Sequence, residues 1–161
     1  MSSEFTVRKR AQTDGGRLKE IVDLSFPRFF RFFASLSIHE EEGQVLVTEA
    51  NGVVVGFAKL KDFQVNRVKF GCILWLAVHP LFRRKGISGV LVKAGIENLV
   101  QKGAKAIFAS VQRGNTASLA VFSLQEFIKM GFLGLWRFFG WRVFEFYRDI
   151  WFAPGEIVLM Y

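Results

Sequence analysis

Cysteine and histidine are scarce in this chain of 161 residues, which has one cysteine, Cys72, and two histidines, His39 and His79. A single cysteine cannot form an internal disulfide, and it cannot supply a cluster of thiolates for zinc. With so few metal-ligating side chains, we predict no metal site. Disulfide-stapled domains and thiolate zinc domains are therefore excluded as classes.

Long uncharged apolar runs are also missing, although 51% of the residues are hydrophobic and 19 are phenylalanine. A spanning helix needs about 18 or more apolar residues. The longest candidate, residues 131–152, is interrupted by Arg137, Arg142, Glu145, Arg148 and Asp149. The N-terminus shows no apolar core after its first charges, so no signal peptide is visible. We predict a cytoplasmic protein with no membrane span.

The formal net charge is +8. Such an excess suits nucleic acid, an anionic membrane, an acidic substrate or a phosphate-bearing cofactor, and the total alone does not choose among them. The cations are scattered, and only residues 7–10 and Arg83–Lys85 form compact runs. Nucleic-acid binding is therefore an unfavoured alternative that rests on charge alone.

The apolar patterns predict one α/β domain over residues 1–161, because no repeat, linker or low-complexity segment divides the chain. Asn51-Gly52 joins two valine-rich runs, which indicates a two-residue hairpin. A further strand pattern runs from about residue 63 to 78 and ends as a continuous apolar run, typical of a central strand. Helices are predicted near residues 14–24, 29–36, 86–102 and 115–130, and other strands near 5–7, 104–111, 131–139 and 156–161.

The most informative segment is a basic turn between the central strand and the helix predicted at residues 86–102. Arg83, Arg84 and Lys85 precede Gly86 there. Free amides of a helix's first turn attract phosphate, and glycine lets the backbone approach it closely. Neither GxxxxGK[ST] nor GxGxxG is present, so a nucleotide triphosphatase or a dinucleotide enzyme is not supported.

Residues 83–88, RRKGIS, match the signature [Q/R]-x-x-G-x-[G/A] except at Ser88. With the Asn51-Gly52 hairpin, Asn115 and Gly131-Phe132, they resemble the GNAT superfamily of acetyl-CoA dependent N-acetyltransferases over nearly the whole chain. The resemblance implies a mixed, mostly antiparallel sheet of about seven strands flanked by about four helices. It further implies that this sheet is splayed at the strand before the pyrophosphate loop.

The implied activity is transfer of acetyl from acetyl-CoA to a primary amine by direct attack within a ternary complex. The acceptor is left open among a protein N-terminus, a lysine and a small molecule. Amides from about residue 84 to 89 would hold the pyrophosphate, and a strand bulge near residues 76–78 would meet the pantetheine arm. The cofactor-binding residues implied by the resemblance are Leu76, Ala77, Val78, Arg83, Arg84, Lys85, Gly86, Ile87, Ser88, Gly89, Asn115 and Phe127.

The groups that would move protons are not assigned. Relatives often place a proton-donating tyrosine where this chain has Phe127, and some place a glutamate where it has Cys72. Weak candidates are Tyr147, Glu49 and Glu126, with His79 or a water relay as further options. A non-catalytic acyl-CoA-binding module of the same fold is the alternative function.

Aromatic residues crowd two segments that the resemblance places near the acceptor, residues 27–43 and 135–152. They are interpreted either as a filled core or as an apolar acceptor groove or homodimer surface. The acidic run of residues 40–42 is interpreted either as a solvent-facing loop or as an attractor for a cationic amine.

Overall fold

A single sheet of seven strands forms the centre of the computed structural model, which describes residues 5–150 and 155–161. The strand order is β1-β2-β3-β4-β5-β7-β6. Within the described residues only β4 and β5 pair in parallel, and the other neighbours are antiparallel. The strands are β1 (Thr6–Lys9), β2 (Gln44–Ala50), β3 (Val53–Val65), β4 (Val68–Val78), β5 (Ile107–Gln112), β6 (Ile128–Met130) and β7 (Glu156–Met160). The predicted mixed, mostly antiparallel α/β architecture is confirmed.

Six α-helices cover the two faces of the sheet: α1 (Gly15–Ser25), α2 (Arg28–His39), α3 (Ile87–Gln101), α4 (Thr116–Leu124), α5 (Phe132–Phe139) and α6 (Val143–Asp149). α3 and α4 bury Leu91 and Phe122 against one face, here called the α3 face. α1 and α2 pack against the opposite face, the α1 face, and α5 and α6 share it. In the described ranges, no helix has both the length and the apolar character needed to cross a bilayer.

Two hairpin turns shape the middle of the sheet. The turn at Asn51 and Gly52 has φ of 52° and 75°, as predicted for an Asn-Gly pair. A second turn at Asn66 and Arg67, with φ of 52° and 62°, divides the segment that was predicted as one strand from about residue 63. Phe63 therefore belongs to β3 and not to the central strand, because two left-handed residues reverse the chain even without a glycine.

The segment from residue 131 to 139 was predicted as a strand, and this prediction is wrong. It forms α5, which a short 3-10 helix over residues 140–142 connects to α6. The fully buried residues between 131 and 150 are Leu135, Val143, Phe146 and Ile150. Successive members are eight, three and four positions apart, which is helical spacing. The segment was predicted as a strand because phenylalanine and tryptophan are frequent in strands, and their number made the helical spacing hard to recognise.

The outer side of α5 and α6 carries exposed rings, among them Phe132, Trp141 and Phe144. Residues 151 and 152, the end of the aromatic segment expected near the acceptor, lie outside the described residues. The homodimer contact through this surface stays a prediction.

The helix predicted for residues 115–130 is shorter than expected. α4 ends at Leu124, and Ile128–Met130 forms edge strand β6, paired antiparallel with Val158–Met160 of β7. Glu126 adopts a left-handed φ of 67°, which interrupts the helix. The apolar spacing of residues 115–130 is helical throughout. Residues 128–130 nevertheless form a strand, because they pair with β7, which is distant in sequence.

The N-terminal strand is tied to the first helix by an ionic cluster. Arg8 donates to both Asp14 carboxylate oxygens, at 2.7 and 2.9 Å, and to Glu49 on β2. Asp14 also accepts from the Ala11 amide at 2.7 Å. The bonds from Arg8 hold the pKa of the buried Asp14 carboxyl below its usual value of 3.8 against the opposing effect of burial.

We expect this cluster to make folding stability depend on acid pH. Because the pKa of Asp14 is lowered in the folded state, its contribution is complete above pH 3.8 and is lost as the pH falls through the folded-state pKa. Asp14→Asn should cost about 1 to 2 kcal/mol at neutral pH, since Arg8 is partly exposed and solvent screens the pair. In the variant, the free energy of unfolding should also fall less steeply as the pH is lowered, which flattens the acid limb of the stability curve. Urea unfolding between about pH 2 and 7 measures both effects, and an unchanged acid limb in the variant would contradict the assignment.

Candidate functional site

β4 and β5 separate after a short parallel contact. Only Gly71–Ile73 pair with Ile107–Ala109. Beyond that contact, the β4 edge that faces β5 has no ladder partner in β5. A cleft of about 850 Å³ opens there, and it is lined from both faces of the sheet. The predicted splay before the basic turn is thus present.

A β-bulge in β4 lies at the apex of the cleft. Leu60 of β3 pairs with Ile73 and the adjacent Lys59 pairs with Trp75, so Leu74 is an inserted residue. Leu74 and Trp75 consequently both face the α1 side, whereas Ile73 packs under α3. The bulge was expected near residues 76–78, and it occurs two residues earlier.

The basic turn presents backbone groups to the cleft. Arg84 and Gly86 adopt left-handed φ of 62° and 79°, and α3 begins at Ile87 with no side chain capping its first turn. The turn residues that line the cleft are Arg83, Arg84, Gly86, Ile87, Ser88 and Gly89. Uncapped amides at a helix start form a site for an anion.

The three cations of the turn have different surroundings. Arg83 donates from Nε to the Val78 carbonyl at 3.1 Å and from a terminal nitrogen to Ser25 Oγ at 3.3 Å. Lys85 Nζ lies 5.2 Å from the ring centroid of Phe82 and outside the cleft lining. Arg83 and Arg84 both line the cleft. Because the bonds of Arg83 join β4 to α1, Arg84 is the cation placed for a ligand.

The remaining predicted cofactor residues divide between lining and core. Leu76, Ala77 and Val78 line the cleft, as does Asn115. Asn115 also caps α4, since its Oδ1 accepts from the Ser118 amide at 3.1 Å. Phe127 is buried against Phe122 and Tyr161, with ring centroids 5.0 and 5.5 Å away, and does not line the cleft.

The structure does not bring the predicted proton-transfer candidates to the cleft. Glu49 is bonded to Arg8, and Glu126 occupies the left-handed position after α4. Tyr147 packs beside Phe146, with centroids 5.4 Å apart, and partial burial raises the pKa of its phenol. His79 is a buried turn residue whose Nδ1 accepts from the Leu81 amide.

Cys72 lies deep in the cleft wall, and burial raises the pKa of its thiol well above the usual range. An uncharged, fully buried thiol is a packing group and a poor proton acceptor. Cys72 is therefore a core residue, and it does not replace the glutamate that some relatives have at this position.

A carboxylate that sequence reasoning missed does line the cleft. Glu156 is the first residue of β7, and Ser110 of β5 donates to its Oε2 at 3.0 Å. Strand alternation places Ser110 and Glu156 on the α1 face, because their neighbours Val111 and Ile157 pack on the α3 face. The alternation in residues 156–160 was the available signal for Glu156, but its cleft position depends on the pairing of β7 with β5.

Charge is segregated within the cleft. Among the described lining residues the charged side chains are Glu40, Arg83, Arg84 and Glu156. The two cations belong to the basic turn, and the two carboxylates come from the end of α2 and from β7. The cations of the cleft therefore come from a single turn, and its carboxylates come from two other elements.

A buried lysine fixes the position of the acidic segment after α2. Lys59 is 1% exposed, and its Nζ donates to the main-chain carbonyls of Glu40 and Glu42 at 3.2 and 2.6 Å. Burial lowers the pKa of this amine. The acidic run is thus an anchored loop, and it directs Glu40 to the cleft.

Comparison with known proteins identifies the fold family. The sequence pattern of the Acetyltransferase (GNAT) family matches residues 14–127, which is more than half of the chain. The chain belongs to the GNAT family of acetyltransferases. The resemblance carried by the turn at residues 83–88 is thereby confirmed.

Among curated proteins, this GNAT chain is 30% identical over 82 residues to an acetyltransferase of Pectobacterium atrosepticum. The match covers 51% of the chain and 55% of that relative, so it spans about half the length of each.

Two solved structures show the same GNAT fold over almost the whole chain. The ribosomal-protein-S18-alanine N-acetyltransferase of Escherichia coli is 18% identical, with a TM-score of 0.68 over 98% of this chain and 92% of that one. PaiA N-acetyltransferase of Thermoplasma acidophilum, solved in complex with coenzyme A, is 15% identical, with a TM-score of 0.69 over 98% of both chains.

Proposed function

We propose that this protein transfers the acetyl group of acetyl-CoA to a primary amine by direct attack within a ternary complex. The observation that carries the proposal is the cleft through the splayed sheet. The amides at the start of α3 line the cleft from the α3 face, and the Glu156 carboxylate lines it from the α1 face. A thioester held from one side would meet an amine that enters from the other.

The cofactor half of the cleft suits a pyrophosphate with a long polar arm. Amides from residue 84 to 89 and the Arg84 guanidinium would bind the phosphate oxygens. The β4 edge from Leu74 to Val78 lacks a ladder partner in β5, so its amides and carbonyls suit the amide groups of pantetheine. A β4 amide near the bulge would also polarise the thioester carbonyl.

Glu156 is the proton acceptor in this proposal. The amine nitrogen bonds to the acetyl carbon, the carbon–sulfur bond breaks, and the proton lost by the amine passes to the Glu156 carboxylate. Ser110 donates to one carboxylate oxygen at 3.0 Å and fixes the orientation of the group. A positioned carboxylate of this kind contributes roughly 100-fold or more to a proton-transfer step.

The leaving thiolate takes its proton from water. Phe127 is buried and cannot donate, and among the described residues that line the cleft there is no tyrosine. Because a coenzyme A thiolate is a stable leaving group, the reaction does not require a protein acid at this position.

Turnover of acetyl-CoA with a broad panel of primary amines tests this function. We expect amine-dependent release of coenzyme A thiol and a matching acetylated amine by mass spectrometry. Saturable binding of acetyl-CoA without turnover of any amine or peptide would favour the non-catalytic binding module. An absence of binding would contradict the coenzyme A assignment itself.

A further inference from the structure

Aromatic rings form a wall on the acceptor side of the cleft. Phe26 and Phe30 meet Trp75 of β4, with ring centroids 5.3 and 6.4 Å apart. Phe29 lies 5.4 Å from Phe30 and 5.2 Å from Phe33. All five rings line the same cleft as Glu156. The wall therefore combines the junction of α1 and α2 with the strand that carries the bulge.

This wall is ligand-accessible and is not closed core. Phe29 is 63% exposed and Phe33 is 40% exposed, although both line a concave site. Apolar surface in a concave site releases water when an apolar ligand covers it. A small polar ligand such as an amino alcohol has little apolar surface to cover these rings, so it gains less from the wall.

Two carboxylates that line the cleft supply the complementary charge. The protein carries a net charge of +8, yet both charged side chains outside the basic turn that line the cleft, Glu40 and Glu156, are carboxylates. This local reversal favours a cationic group, and Ser110 holds one of the two carboxylates in place. A ligand with one ammonium and an apolar body satisfies both features.

We infer that the acetyl acceptor is a small primary amine with an aromatic or branched apolar body, of the arylalkylamine class. The inference rests on the proposed function and specifies its acceptor. The ammonium lies towards Glu156, and the apolar body lies against Phe29, Phe30 and Trp75. The cleft of about 850 Å³ must also hold the pantetheine arm, so the remaining space suits a small molecule.

A matched series of amines and two ring variants test this inference. Phenethylamine should be acetylated with a kcat/KM at least about tenfold above that of ethanolamine or glucosamine. Phe29→Ser should lower kcat/KM for phenethylamine about fivefold to tenfold, mainly through KM, and should lower it for ethanolamine by a clearly smaller factor. Phe32→Ser is the control, because Phe32 is 62% exposed on the same helix but does not line the cleft.

Equal or better turnover of the polar amines would overturn the inference and leave acetyl transfer intact. Equal effects of the Phe29 and Phe32 substitutions would also overturn it. Turnover of no amine, with acetyl-CoA still bound, would overturn both the inference and the proposed function. Because Phe29 is mostly exposed, the variant should fold, and its thermal unfolding midpoint checks this.

Discussion

Glu156→Gln is expected to lower kcat/KM for acetyl transfer about 100-fold, with most of the loss in kcat. The amide has the size of the carboxyl group and can still accept from Ser110, but it cannot take a proton from the amine. Binding of acetyl-CoA should change little, since Glu156 lies on the face of the sheet opposite α3. Steady-state kinetics with an amine substrate and calorimetry with acetyl-CoA measure the two parts of this result.

The pH dependence separates proton transfer from a purely structural role. The pH profile of kcat/KM should differ between the native protein and the Gln variant, because only the native side chain can take a proton from the amine. Glu126→Gln is the matched control, because Glu126 lies outside the cleft lining. If Glu156→Gln keeps kcat/KM within twofold of the native value and its pH profile is unchanged, solvent and not Glu156 accepts the proton of the amine.

Gly86→Asp is expected to weaken binding of acetyl-CoA about 100-fold or more. A Cβ at this position has no atom within 4 Å, and aspartate tolerates the left-handed φ of 79° better than most residues. The fold should therefore accept the change with modest strain. The new carboxylate would stand at the uncapped start of α3, where it repels the pyrophosphate and competes for the same amides.

Gly86→Asn isolates the effect of charge in this second prediction. Asparagine has nearly the same size and also tolerates the left-handed region, so it should weaken binding much less than aspartate. Arg84→Glu should weaken binding as well, since Arg84 lines the cleft and Arg83, the other turn cation there, is bonded to Val78 and Ser25. Calorimetric titration with acetyl-CoA measures each variant, and native affinity in Gly86→Asp would show that the pyrophosphate binds elsewhere.

Local signals in the sequence were sufficient for much of the fold. Asn51-Gly52 specified its hairpin, and the apolar spacing of residues 87–101 specified α3. The strand prediction for residues 131–139 was wrong because phenylalanine and tryptophan occur both in strands and in packed helices. β6 was missed because three residues, Ile128–Met130, become a strand only through their pairing with β7.

The basic turn and Glu156 also differ in how far the sequence could predict their place in the cleft. The basic turn is contiguous in sequence, so its residue types and its place between a strand and a helix pointed to an anion. Glu156 meets Ser110 across a separation of 46 residues, and no spacing rule connects them. Tyr147, Glu49 and Glu126 were candidates by residue type alone, and tertiary structure places a different carboxylate at the cleft.

The bulge at Leu74 decides which compartment each later side chain of β4 faces. If Leu74 took a regular place in the ladder with β3, Ile73 and Trp75 would point the same way, and the indole would lie with the coenzyme instead of the amine. Every later side chain of β4 would change face with it. Deleting Leu74 would instead restore simple alternation and leave Trp75 on its present face, so the extra residue adds an apolar side chain to the acceptor side without moving the aromatic wall.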